Sequence, residues 1–212
     1  MSGYSYEEQK KCLLEINKIL NENNFLDKCF LGFGTFLGTY RAGRLNTANN
    51  DWDDIDFNIK KDDWGHFIEH IIPEFIRNGY EILHGYKTIF GHLGVLTLKK
   101  GTTRIDFQNN FLKKDLYYHF CWYAGVELVK GVQKKYLDEI TQYELEGLSF
   151  YGPKAAKQYL VDMYGENWFI PCKEESEYRY WEDSPGIPWD EKYYHQNLLT
   201  KSELEILLNL NT

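Results

Sequence analysis

Apolar and polar positions along this chain repeat with two different periods, and each stretch reads as one kind of element. From Glu7 to Asn23, the residues Cys12, Leu13, Leu14, Ile16, Ile19 and Leu20 recur at helical spacing with Glu and Lys opposite, which predicts a first amphipathic helix. Lys28-Cys-Phe-Leu-Gly-Phe-Gly is a short apolar run ending in glycines. Behind it, Thr35-Phe-Leu-Gly-Thr-Tyr-Arg41 has helical composition with Thr35 placed to cap it, so the expected order is strand, tight turn, helix. Ala42 to Asn50, rich in Gly, Asn and Thr, reads as loop, and Asp53 to Ile59 alternates as a half-buried strand does. Asp62 to Asn78 is helical again, with Pro73 as a kink or break.

The middle of the chain changes period. Tyr80 to Leu83, Gly94 to Lys99 and Arg104 to Gln108 read as strands, the last two joined by a turn containing Lys100-Gly101. Phe120 to Val129 fits neither period. A strand near Leu148 to Phe150 leads into Pro153 to Tyr164, a helix with Pro at its first position and Gly165 past its end. Glu166 to Asn197 is dense in Trp, Tyr, Pro and charge without periodicity, and Lys201 to Leu208 closes with a short helix. Sheet in the middle, helices around it and no repeat or linker predict a single α+β domain over the 212 residues, with an aromatic-rich C-terminal extension.

Composition narrows the function. Hydrophobic content of 43% and aromatic content of 17% belong to a packed protein and exclude disorder over most of the length. With 24 Lys+Arg against 32 Asp+Glu, a net charge of −8 and no basic tract, the chain is not expected to bind nucleic acid. Cys12, Cys29, Cys121 and Cys172 are scattered, with no C-x-x-C, so neither a zinc knot nor a disulfide framework is signalled and a reducing compartment is the expectation. The first residues carry no apolar core of a signal peptide and no apolar run is long enough to span a bilayer, which predicts a cytoplasmic protein without a transmembrane segment.

The sharpest chemical feature is Asp51-Trp-Asp-Asp-Ile-Asp56, four carboxylates in six residues. Carboxylates aligned on an ordered strand repel one another unless cations offset the cost. On a strand, Asp54 and Asp56 share a face about 6.5–7 Å apart at roughly 3.3 Å per residue. That span suits hard divalent ions with oxygen ligands, Mg²⁺ or Mn²⁺, when a phosphate completes the shell. Upstream, backbone amides around Gly34 and Thr35 at a turn opening a helix offer donors to phosphate oxygens. Downstream, Asp106 is a single carboxylate inside an apolar strand, which calls for either a structural partner such as Arg104 or a third place in a metal site beside Asp54 and Asp56. His84, His92 and His119 show no ligand spacing and read as packing or surface groups, and spacing gives Lys87 and Arg104, as possible donor contacts, no privilege over other basic side chains.

The order Gly-Thr turn, D-x-D strand, later lone Asp resembles the nucleotidyltransferase superfamily. Gly34-Thr-Phe-Leu-Gly-Thr-Tyr-Arg41 followed by Asp53-Asp-Ile-Asp56 is similar to the LicD/fukutin family, with its G-T-x-L-G-x-x-R segment and W-D-x-D-I-D motif. Ile105-Asp106-Phe107, then Phe150-Tyr-Gly-Pro153, Tyr159-Leu160, Tyr164-Gly165, Trp168 and Pro171 resemble the remainder of that family's signature, so the likeness runs from about Phe30 to Pro171. The chain reads Asp51-Trp52 where the family has Trp then Asp, which displaces the first carboxylate and leaves the roles of Asp51 and Asp53 open.

The resemblance implies a nucleotidyltransferase-like mixed sheet flanked by helices, with a core over about residues 28–171. It also implies transfer of a phospho-alcohol, of phosphocholine or polyol-phosphate type, from a CDP-linked donor to a sugar hydroxyl of a glycan or lipid-linked saccharide. On that reading Asp54, Asp56 and Asp106 hold Mg²⁺ or Mn²⁺ and do the chemistry, Gly34 and Thr35 grip phosphate, and Arg41 pairs with phosphate or with the acidic motif. Two alternatives remain open: transfer of an NMP from an NTP to a small acceptor, and a non-catalytic nucleotide- or glycan-binding module. The aromatic segment from Tyr178 to Gly186 either flanks an acceptor sugar or wraps the core.

Overall fold

The structure is a computed structural model that describes residues 6–45, 54–88, 91–123, 126–170 and 198–208. Helix α1 (Tyr6–Glu22) buries Cys12, Leu13, Ile16, Ile19 and Leu20, the stripe that its periodicity marks. Strand β1 (Cys29–Leu31) runs through Gly32 into α2 (Phe33–Ala42), and β2 (Ile55–Lys60) follows. Next come α3 (Lys61–His66), a π turn over Phe67–Ile71 and α4 (Ile72–Arg77). The strands β3 (Glu81–Lys87), β4 (Leu93–Lys100), β5 (Thr103–Lys113), β6 (Leu116–Tyr123) and β7 (Val126–Gln133) then run without a helix between them. The described chain closes with α5 (Lys134–Asp138), β8 (Ile140–Leu145), β9 (Leu148–Pro153), α6 (Ala156–Tyr164), β10 (Leu198–Leu199) and α7 (Lys201–Leu207).

These strands form one mixed sheet in the order β10-β3-β4-β5-β2-β1-β9-β8, with β6 on β5 and β7 on β6. The β2/β5 and β1/β9 pairs are parallel and the other described pairs antiparallel. The fold is α+β, a large mixed sheet flanked by helices and aromatic clusters. Strand alternation divides the two faces of the central strands. Ile55, Phe57 and Ile59 of β2, Ile105 and Phe107 of β5, and Leu96 and Leu98 of β4 are all fully buried. Phe107 lies 5.6 Å from Phe57, 4.7 Å from Phe67 and 5.5 Å from Phe75, centroid to centroid, so the helical run over residues 61–77 seals this face with aromatic rings.

Three local expectations are corrected. Pro73 does not break the helix but sits behind a local distortion of it: the amide of Ile72 reaches back five residues to the carbonyl of Phe67, a wider turn just ahead of the proline. Pro153 is the last residue of β9 rather than the first of a helix, and α6 starts three residues later. Thr35 does not cap α2, which opens two residues earlier from Gly32. Of the segment Phe120 to Val129, of no clear period, the described residues lie in the paired strands β6 and β7, and β8 and the short α5 carried too few apolar residues to stand out.

Candidate functional site

The sheet assembles a row of polar side chains across four strands. Parallel pairing of β2 with β5 sets Asp56 directly beside Asp106. Antiparallel pairing of β5 with β4 sets Asp106 beside Thr97. In the β3/β4 pair the register slips between Ile82 and His84, so that His84, and not Leu83, stands opposite Thr97. Neighbouring strands lie about 4.8 Å apart, so His84, Thr97, Asp106 and Asp56 are consecutive neighbours on one level of the sheet. Hydrogen bonds join three of them: Thr97 Oγ1 donates to Asp106 Oδ1 at 2.6 Å, and His84 Nε2 lies 3.1 Å from Thr97 Oγ1. Thr97 is completely buried.

Asp54 lies one residue ahead of β2, two before Asp56, and its Oδ2 is 3.5 Å from Arg104 Nη2. The backbone of this D-x-D segment is held by α2. Gly32 N donates to the carbonyl of Asp56 at 3.0 Å, the last main-chain bond before β1 gives way to the helix. Thr35 then takes over the ladder: its Oγ1 accepts from the amide of Asp56 at 2.8 Å and donates to the carbonyl of Asp54 at 3.3 Å. A hydroxyl, donor and acceptor at once, does for Asp54 and Asp56 what a further β1 residue would have done. A Cβ on Gly32 would stand 2.4 Å from Asn58 Nδ2, so a larger residue here would displace that buried amide.

The first bond of the α2 ladder runs from Phe36 N to Gly32 O, so the amides of Phe33, Gly34 and Thr35 precede it, in the turn where a helix offers no carbonyl of its own. The space off the Cα of Gly34 is open: apart from its chain neighbours and the backbone of its own helix, no atom lies within 4 Å of where a Cβ would be. Phe33 takes the left-handed conformation, φ 41°, at a cost of about 1–3 kcal/mol, so backbone strain sits at the head of α2 beside the carboxylates. Arg41, in contrast, is in the last turn of α2, some 9 Å along the axis from Thr35 at about 1.5 Å per residue, and its Nη2 donates to the carbonyl of Ile170 at 3.3 Å. Among the described residues, Arg104 is a cation that stands beside the D-x-D segment. Asp51, Asp53 and the aromatic stretch Tyr178 to Gly186 lie outside the described residues.

Electrostatics set this face apart. Burial pushes the Asp106 carboxyl above the usual carboxylate range, against the opposing pull of the Thr97 hydrogen bond and the charges of Arg104 and His84. Burial likewise lowers the His84 imidazole, against the opposing pull of the Asp106 charge. Tyr159 of α6, buried against Phe36 and Tyr136, is raised by burial and further by the charge of Asp56, which puts the phenol in reach of that carboxylate's field. Among the described residues no three His, Cys, Asp or Glu side chains already converge as metal ligands. The contacts above account for this in part, since Asp106 spends one oxygen on Thr97 and Asp54 leans on Arg104. The donor chemistry itself, Asp56 and Asp106 side by side on adjacent strands with Asp54 just ahead of β2, fits a hard divalent cation, whose charge would offset their repulsion.

Sequence reasoning finds the three aspartates and Thr35 but reads His84 as packing and passes over Thr97 altogether. A threonine in the middle of the apolar run Gly94-Val-Leu-Thr-Leu98 was the available signal for Thr97; His84 had none, since its place depends on the register slip. Fold and site define an α+β protein that carries two aspartates side by side on a mixed sheet, with a third just ahead of β2, where a strand-turn-helix unit opens. No protein-family model matches this chain, and no curated protein matches it significantly. No described helix is long and apolar enough to cross a membrane.

Proposed function

We propose that this chain is a divalent-metal-dependent transferase of the LicD/fukutin kind, built on a nucleotidyltransferase-like sheet, that moves a phospho-alcohol from a CDP-linked donor to a sugar hydroxyl of a glycan or lipid-linked saccharide. The observation that carries the reading is the in-register pair Asp56 and Asp106 on adjacent parallel strands, with Asp54 two residues upstream and the first turn of α2 bonded to the same backbone. The order of the sequence motifs supports the choice of donor and acceptor class. Asp54, Asp56 and Asp106 are the residues that would hold Mg²⁺ or Mn²⁺. Such an ion neutralises diphosphate charge and makes a neighbouring hydroxyl more acidic.

The chain's own groups then have distinct work in an in-line displacement at phosphorus, which needs alignment and charge neutralisation rather than a covalent nucleophile. The amides of Gly34 and Thr35 offer donors to phosphate oxygens, and the open space beside Gly34 lets a ligand approach the backbone closely. Arg104, beside Asp54, presents a planar fork suited to a phosphate. Asp106, raised by burial, is the carboxylate suited to take the acceptor's proton. Cys12 and Cys29 are buried free thiols, which suits a reducing, cytoplasmic setting.

The test is a thermal-shift screen of CDP conjugates, CMP, UDP, ADP, GDP and nucleoside triphosphates, with and without Mg²⁺ or Mn²⁺. A ligand at about 100 times its Kd adds about 2.7 kcal/mol, which for a chain of this size raises Tm by roughly 5–10 °C. The expected result is a metal-dependent rise with CDP compounds. A rise with triphosphates only would replace the reading with nucleotidyl transfer, and no rise with any nucleotide would overturn it in favour of a binding module.

A further inference from the structure

We propose that His84 and Thr97 are positioning residues for Asp106: a two-step hydrogen-bond relay, assembled by a bulge in β3, that fixes the orientation of the carboxylate Asp106 presents to a metal ion beside Asp56. This rests on the metal reading above and adds to it two residues that no motif marks.

The directions of the bonds follow from the groups. A carboxylate only accepts, so the short contact of 2.6 Å between Thr97 Oγ1 and Asp106 Oδ1 uses the threonine's one proton. Thr97 Oγ1 is then left as an acceptor toward His84 Nε2 at 3.1 Å, and His84 must carry its proton on Nε2. The chain therefore reads His84 Nε2–H to Thr97 Oγ1, and Thr97 Oγ1–H to Asp106 Oδ1. It fixes the carboxylate's rotation and leaves Oδ2 for a ligand.

Two further observations set this apart from ordinary sheet polarity. Thr97 lies fully buried between Leu96 and Leu98, where a valine of the same shape would pack without a hydroxyl to satisfy. The register slip between Ile82 and His84 breaks the β3/β4 ladder, yet it is what turns His84, in place of the half-exposed Leu83, onto Thr97. Bulges that re-aim a side chain recur beside working sites, and groups that orient a metal ligand are worth about 10–100-fold in metal affinity.

The experiment is Mn²⁺ titration of the full chain, followed by electron paramagnetic resonance, with Tm in metal-free buffer as the check on folding. Thr97→Val is expected to bind Mn²⁺ at least about tenfold more weakly than the native chain, His84→Leu to weaken it in the same direction, and Thr97→Ser to recover the native affinity. If Thr97→Val and His84→Leu bind Mn²⁺ within twofold of the native chain, the relay is overturned while the metal reading stands. If the native chain binds no Mn²⁺, the metal reading fails and the relay with it. A readout independent of metal is the ¹⁵N signal pair of the His84 ring: an Nε2–H tautomer is expected, and an Nδ1–H tautomer would overturn the relay outright.

Discussion

The same strands present two faces that behave as different materials. On β2 and β5 the odd-numbered positions Ile55, Phe57, Ile59, Ile105 and Phe107 are fully buried, and the aromatic rings of the helical run over residues 61–77 close over them. The even-numbered positions one step away are Asp56, Asn58, Asp106 and Gln108, largely screened from water yet polar, and the Gln108 side-chain oxygen is buried without a hydrogen bond. One face gains stability from every residue it buries. The other bears the cost of burying charge and amide groups. A strand therefore holds two independent messages at period two, and the message that lowers stability is the one that points to chemistry.

That comparison breaks most visibly on the apolar side. Phe107→Ala removes a fully buried ring that packs against three others, and it is expected to destabilise the chain by about 3–5 kcal/mol in urea unfolding. A loss under about 1 kcal/mol would mean that this face is not the core that holds the strands in register. On the polar side the sign reverses. Asp106→Asn keeps an acceptor for Thr97 but removes a charge buried beside Asp56, so the metal-free protein should gain about 1 kcal/mol, a Tm rise of roughly 2–4 °C. Its response to Mg²⁺ or Mn²⁺ should disappear at the same time. A variant that loses stability instead would show that Asp106 is there for the fold.

How far each face can be read in the sequence follows from the range of the interactions that make it. Phe57 and Phe107 announce themselves by alternation, and Asp106 by breaking an apolar run, because both signals are local. The D-x-D segment and the Gly-Thr turn are legible for the same reason. The row through Thr97 to His84 is not, because it depends on pairing between strands and on a one-residue slip that moves His84 onto the position Leu83 would have held. Arg41 and Arg104 divide likewise: the reading of the chain pairs Arg41 with phosphate or the acidic motif and offers Arg104 only as a partner for Asp106 or an unprivileged donor contact, but the helical rise carries Arg41 to the far end of α2, and the β2/β5 register brings Arg104 to Asp54. Pro153 reads as a helix start because proline suits that position, yet pairing with Ile140 keeps it in β9.

The smallest effect is expected where the polar side of β2 meets water, and it sharpens the contrast by separating polarity from burial. Lys60, at the other end of β2 from Asp56, reaches Asp138 with Nζ to Oδ1 at 2.9 Å, and Lys134 and Tyr117 also donate to that carboxylate. Burial works to raise Asp138, but the hydrogen bonds from Lys134 and Lys60 outweigh it and hold the carboxyl at about 2, below its ordinary 3.8. The unfolded chain therefore takes up this proton first as pH falls, so the contribution is complete above about pH 4 and is lost as pH falls towards 2. These side chains keep 23% and 29% of their surface exposed, and solvent screening limits the contribution to roughly 0.5–1 kcal/mol. Asp138→Asn should thus lower the urea midpoint slightly at pH 7, with the gap to the native chain closing between about pH 4 and pH 2. A gap that stays constant over that range would assign the effect to packing, and a loss at pH 7 as large as that of Phe107→Ala would remove the distinction between the two faces.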